Sequence, residues 1–385
     1  MTASALRAQP VPTPPRRLAA TLLSLRGFRN YARIELAIGP ASCVLSGPNG
    51  AGKTNLLEAL SLLTPGRGLR RARLRDIVGA GAAGFRVAGT FTGADGAVEV
   101  ATWLDPESER RVVAIDDVTR SGPAALVGVS GAVWLTPAMD RLFAEGTSAR
   151  RRLMDRLVYA GDPAHARQLA LYDHLIRERA RVLRAGPADP VWLGSLEARA
   201  AAAGVAVAAA RLEVVAELNR RLAAATSAFP TASLEAVGEL ERELRAASAL
   251  EVEERFARRL AQAREADAAA GGARHGPHRS DLAVRDVALA SPAELVSTGR
   301  QKALLVGLVL AEARLFHDRN GWLPLVLLDE VGAHLDRRRR EELCAELRAL
   351  GAQAWITATE PDGFAALRGE AQFFHVDQAR VLLDV

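Results

Sequence analysis

The segment Gly-Pro-Asn-Gly-Ala-Gly-Lys-Thr at residues 47–54 limits the possible folds of this chain more than any other feature. It matches the Gly-x-x-x-x-Gly-Lys-Thr pattern of phosphate-binding loops, whose glycines let backbone N–H groups approach phosphate oxygens. The apolar run Ser42–Leu45 predicts a strand before the loop, and Leu56, Leu60 and Leu63 predict one face of a helix after it. Strand, glycine loop and helix in this order predict an α/β domain that binds a nucleotide, rather than a chance glycine turn.

The residues of this loop have separate predicted roles. Only two of the 50 basic residues are lysines, Lys53 and Lys302. A lysine kept inside the loop of such an arginine-rich chain indicates a need for a compact ammonium rather than a planar guanidinium. We expect Lys53 to reach the β and γ phosphates of ATP, and the Thr54 hydroxyl to ligate Mg²⁺. The predicted nucleotide-binding residues of the loop are Gly47, Pro48, Asn49, Gly50, Ala51, Gly52, Lys53 and Thr54.

The apolar run Leu325–Leu328 ends in two carboxylates, Asp329 and Glu330. A buried strand of this kind is the usual partner of a phosphate loop, because it delivers an aspartate to the Mg²⁺, here through a water molecule. Glu330 is the candidate catalytic residue, since a carboxylate one residue further on can take a proton from attacking water. The alternative is a strand that ends in acidic residues facing solvent.

The segment Val-Ser-Thr-Gly-Arg-Gln at residues 296–301 precedes a predicted helix with Leu304 and Leu308 on one face. A small hydroxyl residue and a glycine at a helix N-terminus make an anion-binding site, so Ser297 and Gly299 are further nucleotide-binding candidates. An ordinary N-cap is the alternative. The position of the segment between the phosphate loop and the acidic strand favours the anion site.

Composition narrows the class of protein. The net charge of +5 is compatible with a polyanionic partner. Two cysteines, Cys43 and Cys344, give neither a disulfide framework nor metal-ligand spacing, which fits a reducing cytoplasm. The sequence lacks the run of about 18 apolar residues that a membrane span requires. The proline-rich residues 1–17 are predicted to be a disordered leader.

The remaining pattern predicts two parts. Strand-like runs are predicted at residues 22–28, 33–38, 85–91, 98–104 and 111–115. From about Pro137 to Asp281 the strand signals give way to helical stripes. We therefore expect a discontinuous α/β lobe, residues 18–136 and 266–385, with a helical arm inserted at residues 137–265.

Two arginine-rich runs are candidates for contact with a nucleic-acid backbone. The first extends from Arg67 to Arg75, and the second from Arg150 to Arg156. Each run is also compatible with an ordinary solvated surface. The specific DNA candidates are Arg70, Arg71 and Arg73.

The order of phosphate loop, signature segment and acidic strand resembles that of the ABC-type ATPases, in which the signature of one subunit covers the ATP held by the other. Further motifs narrow the resemblance to the RecF family of bacterial recombination mediators, which are similar to SMC-family heads but have a short helical arm. These motifs cover nearly the whole chain after the leader. They are Leu-Arg-Gly-Phe-Arg-Asn-Tyr at 25–31, Leu-Thr-Pro at 135–137, Ala-Arg-Arg-Arg-Leu-Met-Asp at 149–155, His-Gly-Pro-His-Arg at 275–279 and Thr-Ala-Thr-Glu at 357–360.

The resemblance implies an α/β fold of the ABC type, a P-loop ATPase head with an inserted α-helical arm. It implies ATP and Mg²⁺ as cofactors, an ATP-dependent homodimer with Asp336 in its contact loop, and weak DNA-stimulated hydrolysis. It also implies binding at single-strand/duplex junctions and, with RecR and RecO, assistance to RecA loading at gaps. The resemblance further implies that the protein supports SOS induction and replication restart, and that it acts in the cytoplasm.

Several positions depart from the ABC pattern. Arg300 stands where signatures usually have glutamine, Ser280 replaces an acidic residue, and residues 357–360 lack the switch histidine. No clear glutamine marks the usual γ-phosphate sensor. These departures leave nucleotide binding intact and put fast turnover in doubt.

Two alternatives stay open. The ATPase subunit of a membrane transporter would have a compact chain and a switch histidine, and both the insert and the missing histidine argue against it. A nucleotide-gated scaffold that rarely hydrolyses ATP is the other, and comparing turnover with and without gapped DNA separates it from an ATPase.

Overall fold

The computed structural model describes residues 16–93, 96–159, 162, 164–186 and 189–384, so nearly all of the predicted leader lies outside the described residues. These residues form fifteen strands and nine α-helices besides short 3₁₀ turns. The strands are β1 (Ala19–Phe28), β2 (Tyr31–Ala37), β3 (Ser42–Ser46), β4 (Arg86–Gly93), β5 (Gly96–Leu104), β6 (Arg111–Ile115), β7 (Val118–Arg120), β8 (Ala132–Leu135), β9 (Ala232–Val237), β10 (Asp281–Asp286), β11 (Ser291–Pro292), β12 (Leu325–Leu328), β13 (Ala354–Thr357), β14 (Ala371–Asp377) and β15 (Arg380–Leu383). The helices are α1 (Lys53–Leu62), α2 (Thr147–Tyr159), α3 (Ala164–Ala185), α4 (Pro190–Ala224), α5 (Glu239–Leu244), α6 (Ala249–Gln262), α7 (Arg264–Ala270), α8 (Thr298–Asn320) and α9 (Arg337–Leu350). Within the described part of the chain, no helix is both long and apolar enough to cross a bilayer.

A six-stranded sheet in the order β15-β14-β3-β13-β12-β8 carries the candidate site. Strands β14, β3, β13, β12 and β8 run parallel, and β15 is an antiparallel edge strand. Every residue of β12 and β13 is buried, as expected for strands covered on both faces. Because parallel strands end at the same edge of a sheet, the segments that follow β3, β12 and β13 meet there.

A second sheet, antiparallel in the order β2-β1-β4-β5-β6-β7, packs beside the first. The buried Gln353 amide joins the two sheets. Its Oε1 accepts from the backbone N–H of Ala20 at 2.8 Å, and its Nε2 donates to the carbonyls of Gly39 and Ala41. With all its polar atoms bonded, this side chain fixes β13 against the start of the antiparallel sheet.

Most strands around the phosphate loop lie where the sequence predicts them, but one expectation is wrong. Strand structure is not absent between residues 137 and 281, because β9 pairs antiparallel with β10 in a third, small sheet. The side chains of β9 alternate strictly between buried and exposed. The buried members are Ala232, Leu234 and Ala236.

We use "lobe" for the two large sheets with α1, α8 and α9, and "arm" for α2–α7. Helix α3 ends at Ala185 and α4 begins at Pro190. The amino-terminal half of α4 packs in an arm core with Tyr172 and Phe256. Its carboxyl-terminal half, with Val214 and Leu218, packs in the lobe core with α8. Helix α4 therefore belongs to both cores.

Buried ion pairs fix the packing of the arm. The guanidinium of Arg179 donates to Glu197 at 2.9 Å, to Asp267 at 2.7 Å and to the carbonyl of Leu260 at 2.6 Å. Arg179, Glu197 and Asp267 are each at most 2% exposed. Because an unpaired charge at this depth is costly, the three helices that supply these residues are held in one register.

Candidate nucleotide-binding site

The three glycines of residues 47–54 have backbone conformations that other residues rarely adopt, and at two of them a side chain would clash. Gly47, Gly50 and Gly52 have φ values of 138°, 82° and 117°. A Cβ on Gly47 would lie 2.1 Å from the carbonyl oxygen of Val376, and one on Gly52 would lie 2.6 Å from the Tyr31 hydroxyl. The chain therefore needs glycine at these points to turn tightly between β3 and the start of α1. Of the predicted loop residues, Pro48, Asn49 and Gly50 are exposed, while Ala51 is buried.

Lys53 lies at the first position of α1 and is 4% exposed. Its ammonium donates to the carbonyls of Gly47 at 2.6 Å and Pro48 at 2.8 Å, so the side chain folds back across the loop. Burial lowers the pKa of this ammonium, and the nearby Glu330 and Asp329 carboxylates act in the opposite direction. The one lysine of the loop is thus held between the loop carbonyls and the acidic strand.

Thr54, Asp329 and Thr357 converge from three segments of the chain. The hydroxyls of Thr54 and Thr357 each donate to Asp329 Oδ1 at 2.8 Å. Asp329 is 4% exposed and follows β12, as predicted. A hydroxyl and a carboxylate side by side are the hard oxygen ligands that Mg²⁺ prefers, so these residues fit the metal predicted at this point.

Glu330 has a strained backbone. Its φ of 47° lies in the left-handed region, which a non-glycine residue adopts rarely. The backbone N–H of Glu330 donates to the Thr357 hydroxyl at 2.8 Å, and its carbonyl accepts from Lys302 at 3.1 Å. Two buried side chains, Thr357 and Lys302, therefore hold the strained backbone of Glu330 in place.

The signature segment, residues 296–301, contacts the segment after β12 rather than the phosphate loop. Ser297 is exposed and takes the N-cap position of α8, but its hydroxyl makes no capping hydrogen bond. The Gly299 carbonyl accepts from Arg339 at 2.7 Å, and a Cβ on Gly299 would lie 3.3 Å from the carbonyl oxygen of His334. Among the described residues, no hydrogen bond joins Ser297 or Gly299 to the phosphate loop.

The predicted contact loop after β12 packs beside this signature. His334 has a φ of 65°, and Asp336 caps α9 by accepting from the backbone N–H of Arg339 at 2.8 Å. Asp336 and the signature glycine are therefore connected through one arginine, Arg339.

Lys302 is a functional candidate whose contacts the sequence does not reveal. It is 2% exposed, and its ammonium donates to Asp140 Oδ2 and to the Glu330 carbonyl, both at 3.1 Å. The three residues come from the signature helix, the segment after β8 and the end of β12. The second lysine of the chain thus connects the signature to the catalytic candidate.

The sequence also missed the residues that support the phosphate loop. Asn30 donates to the Ala51 carbonyl at 3.1 Å, and Tyr31 donates to the Gly52 carbonyl at 3.2 Å. From the opposite side, Ala379 N–H in the β14–β15 turn donates to the Ala51 carbonyl at 3.1 Å. A cavity of about 660 Å³ opens beside Asn30 and Tyr31. The Arg-Asn-Tyr motif was the available signal for the first two contacts.

The two arginine runs are mostly engaged in the fold. Ion pairs hold Arg70 to Glu58, Arg75 to Glu109, Arg150 to Asp281 and Arg156 to Glu312. Arg71 has a φ of 52° and remains exposed, as does Arg73. The three DNA candidates therefore differ in availability, since Arg70 is tied to helix α1.

The described chain is similar to known proteins over almost its full length. A family model for the RecF/RecN/SMC N terminal domain matches residues 20–380. The DNA replication and repair protein RecF of Mesorhizobium japonicum is 47% identical over 365 residues, 93% of this chain and 96% of that relative. The protein of the same name from Rhizobium johnstonii is 44% identical over 371 residues, 95% of this chain and 99% of that relative.

Solved structures show the fold. A structure of the recombination mediator protein RecF-ATP in the RecFOR pathway has a TM-score of 0.81 at 20% identity and covers 96% of this chain and 100% of that one. The Smc head domain of Pyrococcus furiosus has a TM-score of 0.55 at 15% identity, with 95% and 96% covered. The predicted fold class, an ABC-type ATPase head with a helical arm, is confirmed. On its phosphate loop, its acidic strand and this similarity across nearly all of its residues, the chain belongs to the RecF family.

Proposed function

We propose that this chain is an ATP-dependent DNA-binding protein of recombinational repair that acts as an ATP-induced homodimer. The convergence of Lys53, Thr54, Asp329 and Thr357 at one edge of the parallel sheet carries the proposal. An ATP-binding loop needs an ammonium for the phosphates, here Lys53, and two oxygen groups for Mg²⁺, here Thr54 and Asp329. The Thr357 hydroxyl orients the Asp329 carboxylate.

In this proposal, Lys53 moves from the loop carbonyls to the β and γ phosphates, and loop N–H groups bind the same oxygens. Thr54 and Asp329 are the residues that would hold the Mg²⁺, with Asp329 acting through a water molecule. The metal neutralises phosphate charge when it is bound. Ser297 and Gly299 of one protomer contact the nucleotide held by the other.

Glu330 serves as the general base in a slow ATPase. Its carboxylate follows the metal-site aspartate directly, and its backbone is fixed by Thr357 and Lys302. Residues 357–360 supply hydroxyls and a carboxylate but not the histidine that the ABC pattern has there. Weak, DNA-stimulated turnover is the rate behaviour that this arrangement supports.

The DNA role rests on the family and on charge. Relatives at 44–47% identity carry the name DNA replication and repair protein, and solved structures of similar fold are assigned to the RecFOR pathway. We therefore propose binding at single-strand/duplex junctions and assistance to RecA loading at gaps, with RecR and RecO as partners. Roles in SOS induction and replication restart, in the cytoplasm, belong to the same proposal.

The division of the chain also remains part of the proposal. Residues 18–136 and 266–385 form the ATPase part, residues 137–265 form the arm, and residues 1–17 precede them as a leader. The boundary at residue 265 falls inside α7, which we count with the arm when we describe its packing.

Sedimentation with and without ATP, Mg²⁺ and gapped DNA tests this function. A monomer that becomes a dimer with ATP and co-sediments with gapped DNA is the expected result. ATP turnover is measured in parallel with and without gapped DNA. If ATP turnover is negligible and DNA does not increase it, a nucleotide-gated scaffold is favoured. If the protein binds DNA in no nucleotide state, the DNA role is overturned.

A further inference from the structure

A groove of about 620 Å³ separates the lobe from the arm. One wall is the loop that follows α1, at residues 65–71, and the other is formed by α2 and the start of α3. Trp134, Leu142, Leu153 and Tyr159 are among the residues that form its apolar lining. The groove thus lies between the two arginine-rich runs, which are about eighty residues apart in the sequence.

Four arginines line this groove. Arg156 is paired with Glu312, and the other three reach the groove from opposite walls. Arg67 and Arg71 come from the loop, and Arg152 comes from α2. They are close enough that the charges of Arg67 and Arg152 add to burial in lowering the pKa of Arg71. All three side chains are exposed.

These three arginines have no acidic partner in the described part of the chain, a property that they share with Arg73, which lies outside the groove lining. Among the described residues, Arg67, Arg71 and Arg152 make no ion pair or side-chain hydrogen bond, whereas Arg70, Arg75, Arg150 and Arg156 all do. Like charges that face one another across a groove repel, so this arrangement costs free energy in the isolated chain. An anion between the walls would remove that cost.

Among the described residues, the acids of the groove make no ion pair with these arginines, although the charge of Asp155 raises the pKa of Arg71. Asp155 accepts from Arg211 at 2.8 and 3.0 Å and from His165 at 3.0 Å, so its charge is already compensated. Burial raises the pKa of Asp173, which disfavours its charged form. Glu145 and Asp173 are the exposed acids among the described residues that line the groove.

We propose that the lobe–arm groove seats the sugar–phosphate backbone of single-stranded DNA, with Arg67, Arg71 and Arg152 as its phosphate contacts. This inference rests on the DNA-binding function proposed above and names the part of the DNA that the groove takes. Guanidinium forks suit phosphate oxygens, and the apolar lining can receive sugars or bases.

The shape of the groove favours a single strand over a duplex. The DNA duplex is wider than its major groove, which is itself about 12 Å wide, and its phosphates lie on a convex surface. It can therefore contact only one wall of this small protein groove. A single strand can enter and meet arginines from both walls. The duplex part of a junction would then lie outside the groove.

Salt titrations of DNA affinity test the proposal, with ATP and Mg²⁺ present and fluorescence anisotropy as the readout. The probes are a single-stranded oligonucleotide, a blunt duplex and a gapped duplex. The variant is the triple substitution Arg67→Ala, Arg71→Ala and Arg152→Ala. The matched control is Arg75→Ala, in the same arginine-rich run but outside the groove lining and paired with Glu109. Nucleotide affinity and thermal unfolding are measured first, to show that each variant is folded and binds ATP.

We expect the triple variant to lower the slope of log affinity against log salt by about 2 on single strands, since each phosphate contact contributes roughly 0.7. That change corresponds to roughly a hundredfold weaker binding at 0.1 M salt. The same shift should appear on gapped DNA, a smaller one on the blunt duplex, and none with Arg75→Ala. Glu145→Gln removes a negative charge from the groove and should therefore increase the affinity for single-stranded DNA.

Three results would overturn the proposal. An unchanged slope on single strands in a folded triple variant removes the groove as a DNA site while leaving the function intact. An equal loss on blunt duplex and single strand shows that the arginines serve duplex contact instead. If the parent protein binds none of the three probes, the proposed function fails together with this inference.

Discussion

The phosphate loop and the signature segment differ in how completely one chain satisfies them. Around the loop, Lys53, Thr54 and Asp329 all have hydrogen-bond partners within the same lobe. At the signature, Ser297 is exposed and its hydroxyl caps nothing in its own helix. The first region is organised to work inside one protomer, whereas the second presents groups to something outside it.

Topology explains this difference. The loop follows β3 and the carboxylates follow β12, and only β13 separates these two strands in the sheet. The signature begins a helix that packs on the sheet, with no strand to direct it to the same edge. In the proposed dimer a second copy of the chain completes the site, and the following substitutions test each side.

Lys53→Met should have the largest effect. It removes the loop ammonium but keeps a stem of similar length, and two charge-assisted phosphate contacts are worth roughly 3–6 kcal/mol together. We expect ATP affinity to fall about a thousandfold at unchanged thermal stability, measured by calorimetric titration. Unchanged affinity in a folded variant would contradict the assignment of the phosphate loop.

Glu330→Gln should slow ATP hydrolysis about a hundredfold, the lower end of the usual contribution of a general base. ATP affinity should be retained. The ATP-bound dimer should last longer, because in the proposed cycle the dimer dissociates after ATP hydrolysis. Single-turnover hydrolysis and the lifetime of the dimer in sedimentation are the measurements. Hydrolysis at the parent rate would remove Glu330 from the role of base.

Ser297→Arg should separate the two regions most clearly. Bulk and charge at this exposed position should weaken ATP-induced dimerisation at least tenfold while the variant's own loop binds ATP normally. Arg337→Ala, an exposed change at the start of α9, is the control. A Ser297→Arg protein that dimerises normally with ATP would show that the signature has another role.

Lys302→Met should have the smallest effect on turnover, about fivefold, since a coupling of roughly 1 kcal/mol is typical of such connections. The substitution frees the Glu330 carbonyl, whose strained backbone Lys302 helps to hold. The rate of hydrolysis should fall with little change in ATP affinity, and Lys302→Arg should restore part of it. Equal losses of affinity and rate would mean that Lys302 only stabilises the fold.

The sequence predicts the phosphate loop well because its evidence is local. The glycines, the apolar run before them and the leucine stripe after them are contiguous, and β3 and α1 lie where that pattern places them. Asp329 was predictable for the same reason, since an apolar run delivers it.

Contacts between distant segments were not predictable. Thr357 is 28 residues from Asp329, and only strand order shows that its hydroxyl reaches that carboxylate. The groove is a similar case, because its arginines come from runs that nothing in the sequence brings together. Strand β9 did have an alternating pattern, but its alanines also suit a helix and it follows a long helical stretch.

Helix α4 gives the molecule the geometry of a lever. Its 35 residues span roughly 50 Å at 1.5 Å per residue. Near the lobe it is bound to α8 by ion pairs of Arg221 with Asp318 and of Arg319 with Glu217. Helix α8 begins at the signature. If α8 moved and tilted α4 by about 5°, the far end of α4 would be displaced by roughly 4 Å. A small angular change at the nucleotide would thus become a translation comparable to the spacing between neighbouring strands.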